Sequence, residues 1–221
     1  MNRILVICAH PDDETLGLGG TICHHVEKGD KVNVLIFTDG ESARGKSNSK
    51  IKIRQKQSRK AAKDLGVEKI KFLNYPDQQL DIIAIKDLAK KIESEIKILN
   101  PNIIYTHYWG DVNQDHKKLF DATLVACRPI PNSSIEQILC YETPSSTEWG
   151  NSFKNNHPNS FVNIEKFLDK KIIAVENYSN EIKPFPHPRS KEAIMNRAMF
   201  WGSTVGIHYA EAFYLIRKIT R

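Results

Sequence analysis

The stretch RILVICAHPDDETLGLGG, residues 3–20, decides how the rest of the chain is read. Arg3 to Cys8 is a continuous apolar run ending at a turn, the pattern of a strand buried on both faces. Thr15 to Lys28 then reads as a helix, with Thr15 as its cap and Gly29 as its stop. Ligands in open α/β sheets bind beyond the carboxyl ends of the strands, which is where Ala9-His10-Pro11-Asp12-Asp13-Glu14 falls. An imidazole and three carboxylates this close together repel unless a cation lies among them. Spacing alone leaves two readings open. In one, His10 and Asp13 wrap round a divalent ion such as zinc, and Asp12 points elsewhere as a base. In the other, Asp12 or Asp13 caps the helix and His10 is a satisfied turn residue.

Working outward, strands and helices alternate. Lys31–Phe37, Lys69–Leu73 and Asn102–Thr106 read as strands, and Ile51–Leu65, Ile85–Leu99 and His116–Cys127 as helices. Ile85, Leu88, Ala89, Ile92, Ile96 and Leu99 make one apolar helical face, which Asn100-Pro101 ends. Downstream, Gln137–Tyr141, Ser160–Asn163 and Tyr209–Ile216 read as strands, with helices over Lys166–Glu181 and from Arg189 to about Trp201. The expected fold is α/β, a Rossmann-like three-layer sandwich with a mostly parallel central sheet. One domain is expected over residues 1–221, with a regular β/α half (1–130) carrying the site and a less regular remainder (131–221).

The 221 residues are 40% hydrophobic and 26% charged, with no apolar run long enough to span a bilayer. The short apolar start reaches Asp12 and Asp13 at once, so no secretory signal is read there and a cytoplasmic setting without membrane attachment is expected. Lys+Arg 32 against Asp+Glu 26 leaves a charge of +6. Its lysines cluster in two helical stretches, Lys46–Lys71 and Lys86–Lys97, without the aromatic interleaving of a nucleic-acid surface. Cys8, Cys23, Cys127 and Cys140 each lie in an apolar run with no CxxC pair, so core packing is expected of all four. Gly17-Leu18-Gly19-Gly20 is not a dinucleotide fingerprint, because G-x-G-x-x-G from Gly17 needs glycine where Ile22 stands. Close packing of the first helix against the sheet is the reading preferred for these glycines.

A second motif follows the Asn102–Thr106 strand, in the loop His107-Tyr-Trp-Gly-Asp-Val-Asn113-Gln-Asp115-His116. It should emerge at the same sheet edge as His10. His116 can complete a His-Asp-His site, with Asp115 as an orienting carboxylate or simply the cap of the next helix.

Together the two motifs resemble the LmbE-like/PIG-L family of metal-dependent N-acetylglucosaminyl deacetylases, whose signatures are A-H-P-D-D after strand one and H-x-D-H after a later strand. The likeness extends over nearly the whole chain, through Arg54 in RQKQSRKAAKDLG, Tyr75-Pro-Asp77-Gln-Gln-Leu80, His187-Pro-Arg-Ser190 and Ala210-Glu-Ala-Phe213. What it implies is zinc, or another divalent ion such as iron, held by His10, Asp13 and His116. It further implies Asp12 as general base, and Arg54 and Asp77 against the substrate sugar. Without it, Arg54 is one more helix charge and Asp77 the turn residue after Pro76. One departure stands out: Asn113 occupies the position of the family's first histidine, and asparagine donates a hydrogen bond but cannot ionise.

The expected function is therefore hydrolysis of an N-acetyl group on an amino sugar or sugar conjugate. If the basic excess matters, it should favour a phosphorylated or nucleotide-linked sugar, with Arg54 the first place to look. The alternatives are a hydrolase of another amide or ester, a nucleotide-cofactor enzyme, and a non-catalytic binding module. Trp109, Trp149, Tyr141 and the loop from Glu142 to Asn159 are candidates for a wall over the substrate. His187 and Glu211 are left unassigned, and the resemblance implies self-association.

Overall fold

The computed structural model describes residues 1–45, 47–150 and 157–220. At its centre β1 (Arg3–Cys8) pairs in parallel with β2 (Lys31–Thr38) on one side and β4 (Ile103–His107) on the other. Next to these, β3 (Lys69–Tyr75) joins β2 and β5 (Gln137–Tyr141) joins β4, again in parallel. Beyond β5, β7 (Ala210–Lys218) runs antiparallel and carries β6 (Ser160–Asn163) on its outer edge. The result is a seven-stranded, mostly parallel sheet of order β3-β2-β1-β4-β5-β7-β6.

The two-residue alternation of β1 explains how both faces are filled. Ile4, Val6 and Cys8 pack under α1 (Asp13–Glu27), α2 (Asn48–Leu65) and α5 (Leu168–Glu176), while Leu5, Ile7 and Ala9 pack under α3 (Ile85–Leu99) and α4 (Gln114–Ala126). Each fully buried aliphatic side chain contributes roughly 1.5–3 kcal/mol. A last helix, α6 (Lys191–Thr204), packs on β7. The four cysteines are buried free thiols, as their apolar surroundings predict. Among the described residues, no helix is long and apolar enough to cross a membrane.

The chain lays β2 and β3 to one side of β1, then crosses to β4 and β5 on the other, so the order reverses between β1 and β4. This switch point opens a crevice at their carboxyl ends, and both motifs enter it. The glycines of α1 serve packing as expected. A Cβ at Gly17 would overlap the Tyr141 ring and come within 2.9 Å of the Glu142 carbonyl, and one at Gly20 would meet Ile164 at 2.7 Å.

Several boundaries differ by one to five residues from those expected of the sequence, and three of them have a cause in the hydrogen bonding. The first helix starts at Asp13 rather than Thr15, because the Asp12 carbonyl already accepts from the amides of Thr15 and Leu16. The second starts at Asn48, where the Ser47 side chain accepts from the Lys50 amide. The helix expected over Lys166–Glu181 is a short 3₁₀ turn (Glu165–Phe167) followed by α5, which stops at Glu176. There the Asn177 side-chain amide reaches back to the Ile173 carbonyl and across to Asp64, and the chain turns so that Glu181 points towards α2.

Candidate metal centre and active site

His10 leaves β1 and His116 opens α4, 106 residues later, yet His10 Nδ1 lies 3.2 Å from His116 Nε2. Asp13, the first residue of α1, closes the group. Its Oδ2 accepts from the His10 amide at 2.7 Å and lies 3.4 Å from His10 Nδ1, while its Oδ1 is 3.6 Å from His116 Nε2. One ligand atom from each of the three lies within 4.8 Å of the others. Asp13 Oδ1 is buried without a hydrogen-bond partner. Two imidazole nitrogens and an orphaned carboxylate oxygen, all aimed at one point, fit a divalent ion. Burial pushes the Asp13 carboxyl up, but the His116, His107 and His10 imidazoles hold it well below the usual range.

The far side of each imidazole is also engaged. His10 Nε2 lies 3.0 Å from Asp77 Oδ1 and 3.2 Å from Asp115 Oδ2. Burial alone would lower the His10 pKa, but the Asp115, Asp13 and Asp77 carboxylates raise it well above the ordinary value. Asp115 also accepts from the amides of Gln78 and Leu80, both at 2.9 Å, and so clamps the segment bearing Asp77 over the site. His116 Nδ1 lies 3.0 Å from Asp111 Oδ2. Asp111 in turn accepts from the Asn113 amide and from the hydroxyls of Ser146 and Thr147.

Asp12 adopts φ 128°, a region that costs a non-glycine residue about 1–3 kcal/mol and persists only where surrounding contacts enforce it. Its amide donates to Glu14 Oε2 at 3.1 Å, and the Tyr178 hydroxyl donates to Glu14 Oε1. Burial pushes Glu14 up to about 8. Asp12 Oδ2 accepts from Arg54 Nη2 at 3.0 Å and Arg189 Nη1 at 2.9 Å, while Oδ1 is buried with no partner. Burial raises the Asp12 pKa against the pull of those two guanidiniums.

The geometry thus brings His10, Asp12, Asp13, Asp77, Asp115 and His116 to one crevice. Asn113 is at its edge as the cap of α4, its side-chain oxygen accepting from the Asp115 amide at 2.9 Å. Arg54 reaches the crevice from below. Only 3% exposed, it donates Nε to the Pro11 carbonyl and is shared between Asp12 and Glu181, so its charge is already engaged inside the protein. Among the aromatic wall candidates, Tyr141 is buried and bonds the Ile7 carbonyl, and Trp109 packs on Tyr108, Phe120 and Tyr214. Trp149 is exposed. Residues 151–156 of that loop lie outside the described residues.

Four contributors escaped the sequence reading of the site. Asp111 and His107 lie within the second motif itself, where carboxylate and imidazole types were visible but no direction was. Arg189 belongs to the quoted His187–Ser190 segment, and Glu181 carries no local signal at all. The two unassigned residues separate cleanly. Glu211 accepts from the Gly20 and Thr21 amides and pairs with Lys171 at 2.6 Å, a structural knot between α1, α5 and β7. His187 Nδ1 accepts from the Arg189 amide at 3.0 Å.

Comparison with known proteins identifies the family and the fold. The family model for PIG-L, GlcNAc-PI de-N-acetylase, matches residues 5–127. The chain is 38% identical to the uncharacterized deacetylase YaiS of Escherichia coli (strain K12) over 185 residues, covering 80% of this chain and 90% of that protein. It is 25% identical to the diacetylchitobiose deacetylase of Thermococcus kodakarensis over 99% of this chain and 85% of that one. The fold superposes on a conserved protein of Thermus thermophilus, TT1542, with a TM-score of 0.79 at 23% identity, covering 100% of this chain and 97% of that one. The chain belongs to the PIG-L (LmbE-like) deacetylase family.

Proposed function

We propose that the protein removes the N-acetyl group of an amino sugar or sugar conjugate, with a divalent ion held by His10, Asp13 and His116 and with Asp12 as the base. The observation that carries this reading is the convergence of His10 Nδ1, the Asp13 carboxylate and His116 Nε2, next to a buried aspartate with one free oxygen. Family membership and the diacetylchitobiose deacetylase relative support the N-acetyl-sugar substrate. Zinc is the ion we favour for a donor set of two imidazoles and one carboxylate. We also read the sheet as a Rossmann-like three-layer sandwich within a single domain, working in the cytoplasm. Four cysteines that stay as thiols suit that compartment.

When bound, the ion supplies Lewis acidity towards the acetyl carbonyl and the attacking water. The chain's own residues do the rest. Asp77 and Asp115 orient His10, and Asp111 orients His116. Asp12 Oδ1 takes the proton of the attacking water. Asn113 cannot ionise, so Asp12 carries the same proton on to the leaving amine. The Asn113 Nδ2 group, at the opposite end of the amide from its capping oxygen, donates towards the developing oxyanion. A cavity of about 590 Å³, lined by Ser42, Gln55, Asn74, Pro76 and Gln79, adjoins the Asp77 segment and suits the remainder of a polar sugar conjugate.

Acetate release from metal-loaded protein, measured over a panel of N-acetyl sugars, nucleotide-linked sugars and simple acetyl esters, tests the proposal. Release from at least one N-acetyl sugar is expected, with loss of about 10²–10⁴-fold in Asp12→Asn at unchanged metal content. Cleavage of esters alone, or full activity in Asp12→Asn, overturns it.

A further inference from the structure

We propose that Arg189 is a positioning residue that, together with Arg54, holds Asp12 by one oxygen and leaves the other for chemistry. The inference rests on the assignment of Asp12 as base, but its geometry stands apart from that assignment. Arg189 lies 177 residues from Asp12, at the end of the Pro-rich segment that leads into α6. Its Nη1 donates to Asp12 Oδ2 and to Glu181 Oε2, each at 2.9 Å, and its Nε donates to Ser145 Oγ at 2.6 Å. Arg54 meets the same two carboxylates from the opposite side, with Nη2 3.0 Å from Asp12 Oδ2 and Nη1 2.6 Å from Glu181 Oε1.

The four side chains therefore close a ring in which carboxylates and guanidiniums alternate. Two guanidiniums converging on one carboxylate oxygen would repel each other, and Glu181, also bonded by Arg44, offsets that repulsion. The ring has a direction. Both guanidiniums engage Asp12 Oδ2 and neither engages Oδ1, which stays buried and unpartnered. It also braces the residue with the left-handed φ of 128°. Arg54 is anchored from behind by the Pro11 carbonyl, whereas Arg189 comes from the C-terminal part and is fixed by Ser145. The C-terminal part thus takes part in the active site by setting the orientation of the base.

Arg189→Ala, Arg189→Lys and Ser145→Ala, each analysed for metal content, steady-state kinetics and crystal structure, test the proposal. In Arg189→Ala, kcat falls on the order of 10²-fold with KM and metal stoichiometry unchanged, as expected for a misplaced base. Added guanidinium restores part of the loss. Lysine does not rescue, since a point charge cannot span Asp12, Glu181 and Ser145 together. Ser145→Ala, which keeps every charge, gives a smaller fall of the same kind. The Arg189→Ala crystal structure shows the Asp12 carboxylate rotated away from Arg54 or split between rotamers. A rise in KM at unchanged kcat makes Arg189 a substrate-binding residue and overturns the proposal, as does an unmoved Asp12 carboxylate. If the wild-type protein releases no acetate from any substrate, the functional reading fails while the crystal structure still decides the clamp.

Discussion

Asp111 Oδ2 stands 3.0 Å from His116 Nδ1, an ion-pair distance, while the other ring nitrogen faces His10 and Asp13. The His116 imidazole, ahead of further bonds, holds the Asp111 carboxyl down at about 2 against the effect of its burial. Removing the negative charge should leave the fold intact and the imidazole loosely oriented. Asp111→Asn is expected to weaken metal affinity about 10–100-fold, read by competition with a chelating dye. Unchanged affinity would show that the stacking of His107 on His116, at a ring separation of 3.8 Å, orients the imidazole by itself.

Glu181 provides the pH signature. Burial pushes its carboxyl up, but Arg44, Arg54 and Arg189 outweigh that and lower it from 4.5 to about 2. A carboxyl whose folded pKa is depressed stabilises the protein above its unfolded value, and that contribution is lost as pH falls through the folded one. The window is therefore pH 4.5 down to about 2. At about 1.4 kcal/mol per unit the shift sets an upper bound of about 3.4 kcal/mol, which solvent screening of the exposed Arg44 partner reduces to about 2–3 kcal/mol at neutral pH. Glu181→Gln should be less stable than wild type at pH 6 by about that amount, and the gap should close towards pH 2. Urea denaturation across the range measures it, and a gap that stayed constant would contradict the ion-pair origin.

The pairing of Glu211 with Lys171 predicts a variant that loses stability without losing chemistry. Both side chains are nearly inaccessible, and Glu211 also satisfies two amides of α1. Glu211→Ala strands a buried ammonium and should cost about 3–5 kcal/mol. The kcat per folded molecule should not change, because neither residue reaches the crevice. A fall in kcat below the melting transition would place Glu211 in the active site instead.

What the sequence revealed and what it concealed follow from the range of each interaction. The bounds of β1, β5 and β6 are legible because each is an apolar run closed by polar or turn-forming residues, a local property. His10, Asp13 and His116 are legible because both motifs leave parallel strands at one sheet edge, so topology alone brings them together. The end of α5 is not, since helical patterning runs on past Asn177, where the chain turns with backbone bonds from Asn177 and Tyr178 to Ala174 and Val175 and side-chain bonds from Asn177 to Ile173 and Asp64. Nor is the engagement of Arg54. Its partner Glu181 lies in a distant turn whose position depends on α5 stopping early.

Asn113 has two ends with separable tasks, which yields the sharpest test of the departure from the family's histidine. Its Oδ1 caps α4 by accepting from the Asp115 amide, and its Nδ2 is the group left to donate. Aspartate caps a helix as well as asparagine does and suits the positive end of the helix dipole, but it carries no N–H to donate. Asn113→Asp should therefore keep its melting temperature while kcat falls about 10²–10³-fold, the loss typical of one missing oxyanion donor. Asn113→Ala loses both ends, adding about 1 kcal/mol of destabilisation to a similar fall in rate. Thermal melts and single-turnover acetate release separate the two effects. If Asn113→Asp melts early but retains its rate, the side chain serves only as a cap and the oxyanion donor must be sought elsewhere in the crevice.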